Sequence, residues 1–318
     1  MHCGARMQRA VTTLRSLTVA DLPAIHDICR GVYDGVDYLP GRMQAWLDDE
    51  SVHTIGLEQG GMLLGVHSAH LLENESTALL QGLRVHPSRR RNGIGSVLAA
   101  AIMTHVRQYV PTVQRFLTCF ESTNTHQVKM RADWNELFSP AYLCTELTND
   151  VLSRPHIHEL LSAEPANATA DSSLRSILID DRPDFLPHTG IRATQPFLLT
   201  PRGVEKSVQR GDTWLVRGDP HVVSVSSGSF YSIPNNSSVG SYMWSSEIYS
   251  DSPREIDWHL IQQLKQGFRH VNGEPFAFEC HLPREFAARA QESLRSLCNV
   301  DRLKREGFNI IIKEKMVA

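Results

Sequence analysis

The stretch Leu83-Arg84-Val85-His86-Pro87-Ser88-Arg89-Arg90-Arg91-Asn92-Gly93-Ile94-Gly95-Ser96-Val97-Leu98 joins an apolar strand to a helix through a basic turn punctuated by glycine. The first turn of a helix leaves about four backbone N–H groups without partners and carries roughly half a positive charge. Glycines there let the backbone approach a phosphate without a Cβ in the way. Arg89, Arg90 and Arg91 add charge at the mouth. A P-loop would need Gly-Lys-Ser/Thr, and Gly95-Ser96-Val97 has no lysine. A dinucleotide fingerprint would need a third glycine where Leu98 stands. What remains is a pyrophosphate-binding turn of another kind, or a solvated connection with no ligand.

A chain of 318 residues is long enough for two ordinary domains, each with its own core. Its net charge of -3 gives no reason to expect nucleic-acid affinity, so the arginine cluster is a local feature. Cys3, Cys29, Cys119, Cys144, Cys280 and Cys298 have no C-x-x-C spacing, which argues against a disulfide framework or a zinc site. The pairs His156-x-His158 and His67-x-x-His70 have no third ligand near them in sequence, so no metal is expected. The start Met1-His2-Cys3-Gly4-Ala5-Arg6 has no apolar run like a signal peptide, and no segment approaches the ~18 apolar residues of a membrane helix. The expectation is a cytoplasmic protein with no membrane association.

Hydrophobic periodicity orders the first half as strand, helix, three strands, helix, strand, helix, strand. Thr13–Leu17 reads as a strand. Leu22, Ile25, Ile28, Cys29 and Val32 make one helical face after the helix-start signal Thr18-Val19-Ala20-Asp21. Three strands follow over Val52–Glu58, Leu63–Leu72 and Ala78–Val85, the first two joined by Gly60-Gly61. Gly95–Val106 is a helix, Phe116–Phe120 a strand, Thr125–Arg131 a short helix and Leu137–Leu147 strand-like. The polar stretch Ser153–Pro187 marks a boundary. Beyond it, Trp214–Arg217, Val222–Ser226 and Phe230–Ile233 read as strands joined by Gly218-Asp219-Pro220 and Ser227-Gly228-Ser229. Then come a helix Ile256–Phe268, a strand Phe276–Cys280, a helix Glu285–Leu297 and a strand Phe308–Ile312. The expectation is an α/β (α+β) fold on a mixed sheet. Residues 1–150 form the first domain, 151–200 a linker region, and 201–318 a second half that repeats the order without a glycine-arginine turn.

Arg90-x-x-Gly93-x-Gly95 resembles the R/Q-x-x-G-x-G/A signature of the GNAT acetyltransferase superfamily. Gly31–Pro40, Trp46-Leu47 and Thr77–Val85 are similar to the histidine N-acetyltransferase family over about Leu14–Phe120, and more loosely beyond. The resemblance implies a GNAT fold, acetyl-CoA as co-substrate, and acetyl transfer to the α-amine of free L-histidine in a ternary complex. The alternatives are another small amine or peptide N-terminus as acceptor, or a non-catalytic acyl-CoA-binding module. It assigns the pyrophosphate to Arg90, Arg91, Asn92, Gly93, Ile94, Gly95 and Ser96, and the pantetheine arm to the strand edge at Leu83, Arg84 and Val85 and to Asn124. A backbone N–H near Leu83 or Arg84 would polarise the thioester carbonyl.

On the acceptor side, Tyr33, Asp37 and Tyr38 line a pocket or shape a turn. Arg84 clamps an acceptor carboxylate or forms a salt bridge. Gln81 occupies the strand on which many GNAT enzymes carry a glutamate that acts through water as general base. An amide takes no proton at neutral pH, so Gln81 would orient a water or the amine, with Asp37, Glu121 or a pocket histidine as the final proton acceptor. Thr118–Asn135 has no tyrosine to protonate the departing thiolate, so either Tyr33 or Tyr38 takes that role or the thiolate leaves without a dedicated acid. Cys119 in an apolar strand reads as inert core.

Overall fold

The computed structural model describes residues 11–32, 37–72, 76–167, 189–192, 195–198, 200–217, 224–233, 241–250, 252–300, 303 and 305–317. Tyr33 and the Gly218-Asp219-Pro220 turn lie outside the described residues. The first half runs β1 (Thr12–Ser16), α1 (Leu22–Cys29), α2 (Leu39–Leu47), β2 (Val52–Gln59), β3 (Met62–Leu71), β4 (Thr77–Val85), α3 (Ile94–Tyr109), β5 (Arg115–Glu121), α4 (Thr125–Met130), β6 (Asn135–Phe138) and β7 (Ala141–Leu147). These match the periodicity closely except for α2, which the expected order lacks. The strand-like stretch after residue 137 divides into β6 and β7.

Next come two short helices, α5 (Asn149–Leu152) and α6 (Pro155–Ser162), and a hairpin of β8 (Thr189–Arg192) and β9 (Gln195–Leu198). The second half is α7 (Pro201–Gln209), β10 (Thr213–Arg217), β11 (Ser224–Ser232), β12 (Tyr242–Ser250), α8 (Pro253–His270), β13 (Phe276–Leu282), α9 (Ala287–Cys298) and β14 (Arg305–Met316). Three expectations need correction here. Ser227-Gly228-Ser229 is the interior of β11, not a turn, and Gly228 sits under Trp244 and Gln263, whose atoms would collide with a Cβ there. The third strand of this half is β12, which periodicity missed. The boundary region holds α6, whose Ile157 and Leu161 are buried in a cluster with Leu260 and Leu264 of α8.

All strands except β8 and β9 belong to a single sheet in the order β1-β2-β3-β4-β5-β14-β7-β13-β12-β11-β10, with β6 also paired to β14. Each half has one parallel pair, β4 with β5 and β12 with β13. The closing strands are exchanged: β14 pairs antiparallel with β5 of the first half, β7 with β13 of the second, and β14 with β7 between them. Residues 1–150 and 201–318 therefore do not carry separate sheets. On one side of the first half, Leu98, Ile102 and Val106 of α3 pack on Leu80 and Phe116. On the other, Ile25, Ile28, Leu39 and Met43 of α1 and α2 pack on Leu63 and Val66.

A buried ion pair fixes α2 to β4. Arg84 Nε and Nη2 donate to Asp37 Oδ2 and Oδ1 at 2.9 and 2.7 Å. Asp37 Oδ1 also accepts from the Leu39 N–H at 3.0 Å, at the start of α2. Both side chains are under a tenth exposed, so neither charge can be left alone at low cost.

Two outcomes follow from this packing. A chain ending at residue 304 leaves β5 and β7 without their shared neighbour, so it should lack a cooperative thermal transition and aggregate on gel filtration; a soluble monomer with a native-like transition would show that the exchange is dispensable. Asp37→Ala leaves the Arg84 guanidinium buried and unpaired, and urea unfolding should show a loss of about 3–5 kcal/mol.

Candidate active site

The parallel pairing of β4 and β5 runs from Thr77 opposite Arg115 to Leu80 opposite Thr118. Both strands continue past it, to Val85 and Glu121, so the sheet opens into a wedge. On its other edge β4 is irregular as well: between Val66 opposite Arg84 and Ser68 opposite Gln81, two residues of β4 face His67 alone. The extra residue is absorbed at Gly82, where φ is +66°. A Cβ there would sit 2.9 Å from Leu39, so the bulge needs glycine.

A cavity of about 70 Å³ occupies the wedge. Gln81, Gly82, Leu83 and Arg84 line it from β4, with Thr118, Cys119 and Phe120 from β5. Asn124, Gln127 and Arg131 close it on the α4 side, and Tyr38 closes the α2 side. Gln81 is buried, and neither its Oε1 nor its Nε2 has a hydrogen-bond partner. A buried amide with nothing to bind costs of the order of 1–3 kcal/mol, and such a group in a cavity is placed for a ligand or an ordered water.

Three groups in the lining were not among the residues singled out from sequence. His67 is fully buried, and burial, reinforced by the charge of Arg131, pushes its imidazole down to about 3, so it is neutral in the folded protein. Burial lowers Arg131 to about 10; its guanidinium lies 4.8 Å from the Trp134 ring. Gln127 donates its backbone N–H to Asn124 Oδ1 at 3.2 Å, which makes Asn124 the N-cap of α4. Only the β-bulge opposite His67 brings it to the wedge, and a bulge leaves no mark in hydrophobic periodicity.

The basic turn meets the donor side of the wedge. Gly93 caps α3 in the left-handed region at φ +75°, and no side chain occupies the cap. Ser96 and Val97 both donate to the Gly93 carbonyl. Arg91 also has positive φ, at +66°, so the chain turns sharply on both sides of Asn92. Arg90 Nε bonds the Val85 carbonyl at 3.2 Å, tying the turn to the end of β4. Residues 89–93 and Ser96 are exposed, and Ile94 and Gly95 half-buried.

Other residues singled out from sequence fall in different surroundings. Arg84 is occupied by Asp37, the salt-bridge alternative, with a further bond from Nη1 to its own neighbour's carbonyl at Leu83. Tyr38 lies 5.5 Å below the Arg84 guanidinium. Glu121 ends β5 opposite Ile310, outside the lining of the cavity. Burial pushes the Cys119 thiol up to about 12, which keeps it protonated and inert. Among the described residues no three His, Cys, Asp or Glu side chains gather as a metal site, and no helix is long and apolar enough to cross a membrane.

The second half has the parallel pair but not the turn. Only residues 251 and 252 separate β12 from α8, and Pro253 at the first helical position removes one N–H.

Residues 20–131 match the acetyltransferase (GNAT) family. Histidine N-acetyltransferase of Xenopus tropicalis is 33% identical over 90 residues, 28% of each chain. Histidine N-acetyltransferase of Scomber australasicus is 31% identical over 97 residues, 30% of this chain and 29% of the relative. The chain thus spans less than a third of the length of these curated relatives. Among solved structures, a tandem GNAT protein from the clavulanic acid biosynthesis pathway covers 96% of this chain and 98% of its own, at TM-score 0.54 and 13% identity. That likeness is one of fold and extends over both halves. Residues 20–131 are thus similar to the GNAT acetyltransferase family, within a chain whose fold is like that of a tandem GNAT protein.

Proposed function

We propose that this protein transfers acetyl from acetyl-CoA to the α-amine of a free amino acid, with L-histidine the acceptor. The observation that carries the reading is the wedge between β4 and β5 ending at an uncapped helix start: one continuous surface for a pantetheine arm and its pyrophosphate. The residues fit that group. Gly93 leaves the N-terminal N–H groups of α3 open, and around it stand Arg89, Arg90 and Arg91. Past Leu80 the β4 edge facing β5 is released from strand pairing, so an extended chain can lie along it. Acetyl-CoA supplies the acetyl group as a thioester; a C–N bond forms as the C–S bond breaks, the amine gives up a proton and the thiolate gains one.

The protein's own part is placement. The Gly82 bulge turns the β4 backbone at Leu83 and Arg84 toward the wedge, where a fixed N–H donor would stabilise charge developing on the thioester oxygen. Gln81, with both amide atoms open, orients the amine or a water that carries its proton away; it is not itself a base. Tyr38 closes the acceptor side beneath Arg84. Holding amine and thioester together in this geometry supplies much of the acceleration. The choice of L-histidine draws on the relatives' activity.

Gly93→Asp puts a carboxylate and a strained backbone in the turn and should abolish coenzyme A binding in calorimetry; unchanged affinity would remove the donor site from this turn. Turnover of L-histidine, other amino acids and short peptides, compared side by side, should favour L-histidine, and a preference for peptides would overturn the acceptor. Coenzyme binding without turnover of any amine would make the protein a binding module. Gln81→Ala should lower kcat tenfold or more while leaving the KM for acetyl-CoA unchanged.

A further inference from the structure

The sheet face that carries Gln81 continues into the second half as a buried polar surface. Cross-strand pairing places Ser229, Ser245, Glu279 and Cys144 side by side on β11, β12, β13 and β7. His281 lies next along β13 on the same face. Ser229, Glu279 and His281 are each less than a twentieth exposed. Yet Ser229 Oγ, Glu279 Oε1 and both His281 ring nitrogens have no hydrogen-bond partner. His281 Nε2 stops 3.9 Å from Glu279 Oε1. The other carboxylate oxygen, Oε2, accepts from the Tyr142 hydroxyl at 3.0 Å. Burial pushes the Glu279 carboxyl up, but His281, Ser245 and Tyr142 more than offset it, so the group stays an anion. Several buried polar atoms left open on one face is not how a core is finished.

The two halves meet over this face. In a flat sheet β5 and β12 would stand about 19 Å apart, four strand spacings. The hairpin has only adjacent strands to offer, and β9 touches β5 while β8 touches β11 and β12. The sheet must therefore curl, and α2 packs on both β2 and β11. Tyr38 connects the two sites. It lines the Gln81 cavity on one side, and on the other packs against Tyr231, Met243 and Ala277, the row next to Ser229, Ser245 and Glu279.

We infer that the second half supplies the end of the acceptor site, with Glu279 receiving a basic side-chain nitrogen of the amino acid whose α-amine lies at Gln81. This rests on the acetyl-transfer reading and adds to it the group that selects the acceptor. The carboxylate that β4 lacks is thus present on β13, for recognition rather than for proton removal. An imidazole N–H satisfies the open Oε1, and a hydrocarbon ring of the same size leaves it unpaired. Discrimination of this kind, by a buried polar group that the wrong substrate cannot satisfy, reaches several orders of magnitude.

The test is the ratio of kcat/KM for L-histidine to that for L-phenylalanine in the full chain. Wild type should favour L-histidine strongly, and Glu279→Gln, close in shape, should reduce the ratio at least tenfold through KM for L-histidine, with KM for acetyl-CoA unchanged. Should Glu279→Gln fail to fold, Ser229→Ala removes an unpartnered hydroxyl two strands away in the same row and should raise KM for L-histidine several-fold. A folded Glu279→Gln, or in its absence Ser229→Ala, with the wild-type ratio would assign the polar face to structure and overturn the inference while leaving acetyl transfer intact. A wild type that binds coenzyme A and acetylates neither amino acid would instead overturn the function and this inference together.

Discussion

Two parallel strands that pair over four residues and then part are the constraint on which the rest of this molecule depends. Up to Leu80 opposite Thr118, β4 and β5 are an ordinary buried parallel pair; past it the sheet holds a wedge. Four features gather at that opening: an amide with no partner at Gln81, a bulge at Gly82, the N-cap of α4 at Asn124 and, past the end of β4, the start of α3 at Gly93. Keeping such a gap from closing requires rigid walls. On one side the Arg84–Asp37 pair anchors α2, and on the other β14 fills the far edge of β5 over seven residue pairs.

That second wall comes from the other end of the sequence. With β14 in the first half's sheet and β7 in the second's, neither half finishes its strand pairing alone. The halves have diverged in chemistry within this shared frame. The first keeps an eight-residue connection between β4 and α3, from His86 to Gly93, with its N–H groups exposed; the second shortens the equivalent connection to two residues, 251 and 252, and starts α8 with a proline. Where the first half has a basic glycine turn, the second half carries buried polar groups on the face it turns toward the first. A buried His259, bonded to Ser224 and Ser226 at 2.9 and 2.8 Å, fixes α8 against the opposite face of β11.

Most elements of the first half were legible from apolar periodicity and from signals such as Thr18–Asp21 and Gly60-Gly61; α2 was not. The turn proposed to hold the donor was legible because its glycines and arginines stand at fixed places in the sequence. The second half was harder. β11 contains Ser-Val-Ser-Ser-Gly-Ser, a composition typical of turns, yet it is a strand paired on both edges by β10 and β12, with Trp244 and Gln263 closing over Gly228. His67 reaches the wedge through a bulge in the partner strand, and Arg84 is neutralised by Asp37 47 positions away. Neither relation has a local signature. The exchange of β7 and β14 is a fact of topology that pattern along the chain does not carry.

Hydrogen–deuterium exchange with and without acetyl-CoA tests the central claim most directly, because it reads both halves at once. Saturating ligand should slow amide exchange across residues 81–96 and 118–131, at the wedge and the turn, and leave the β12-to-α8 connection around residues 250–256 unchanged. Protection centred on the second half, with the first unaffected, would contradict the account.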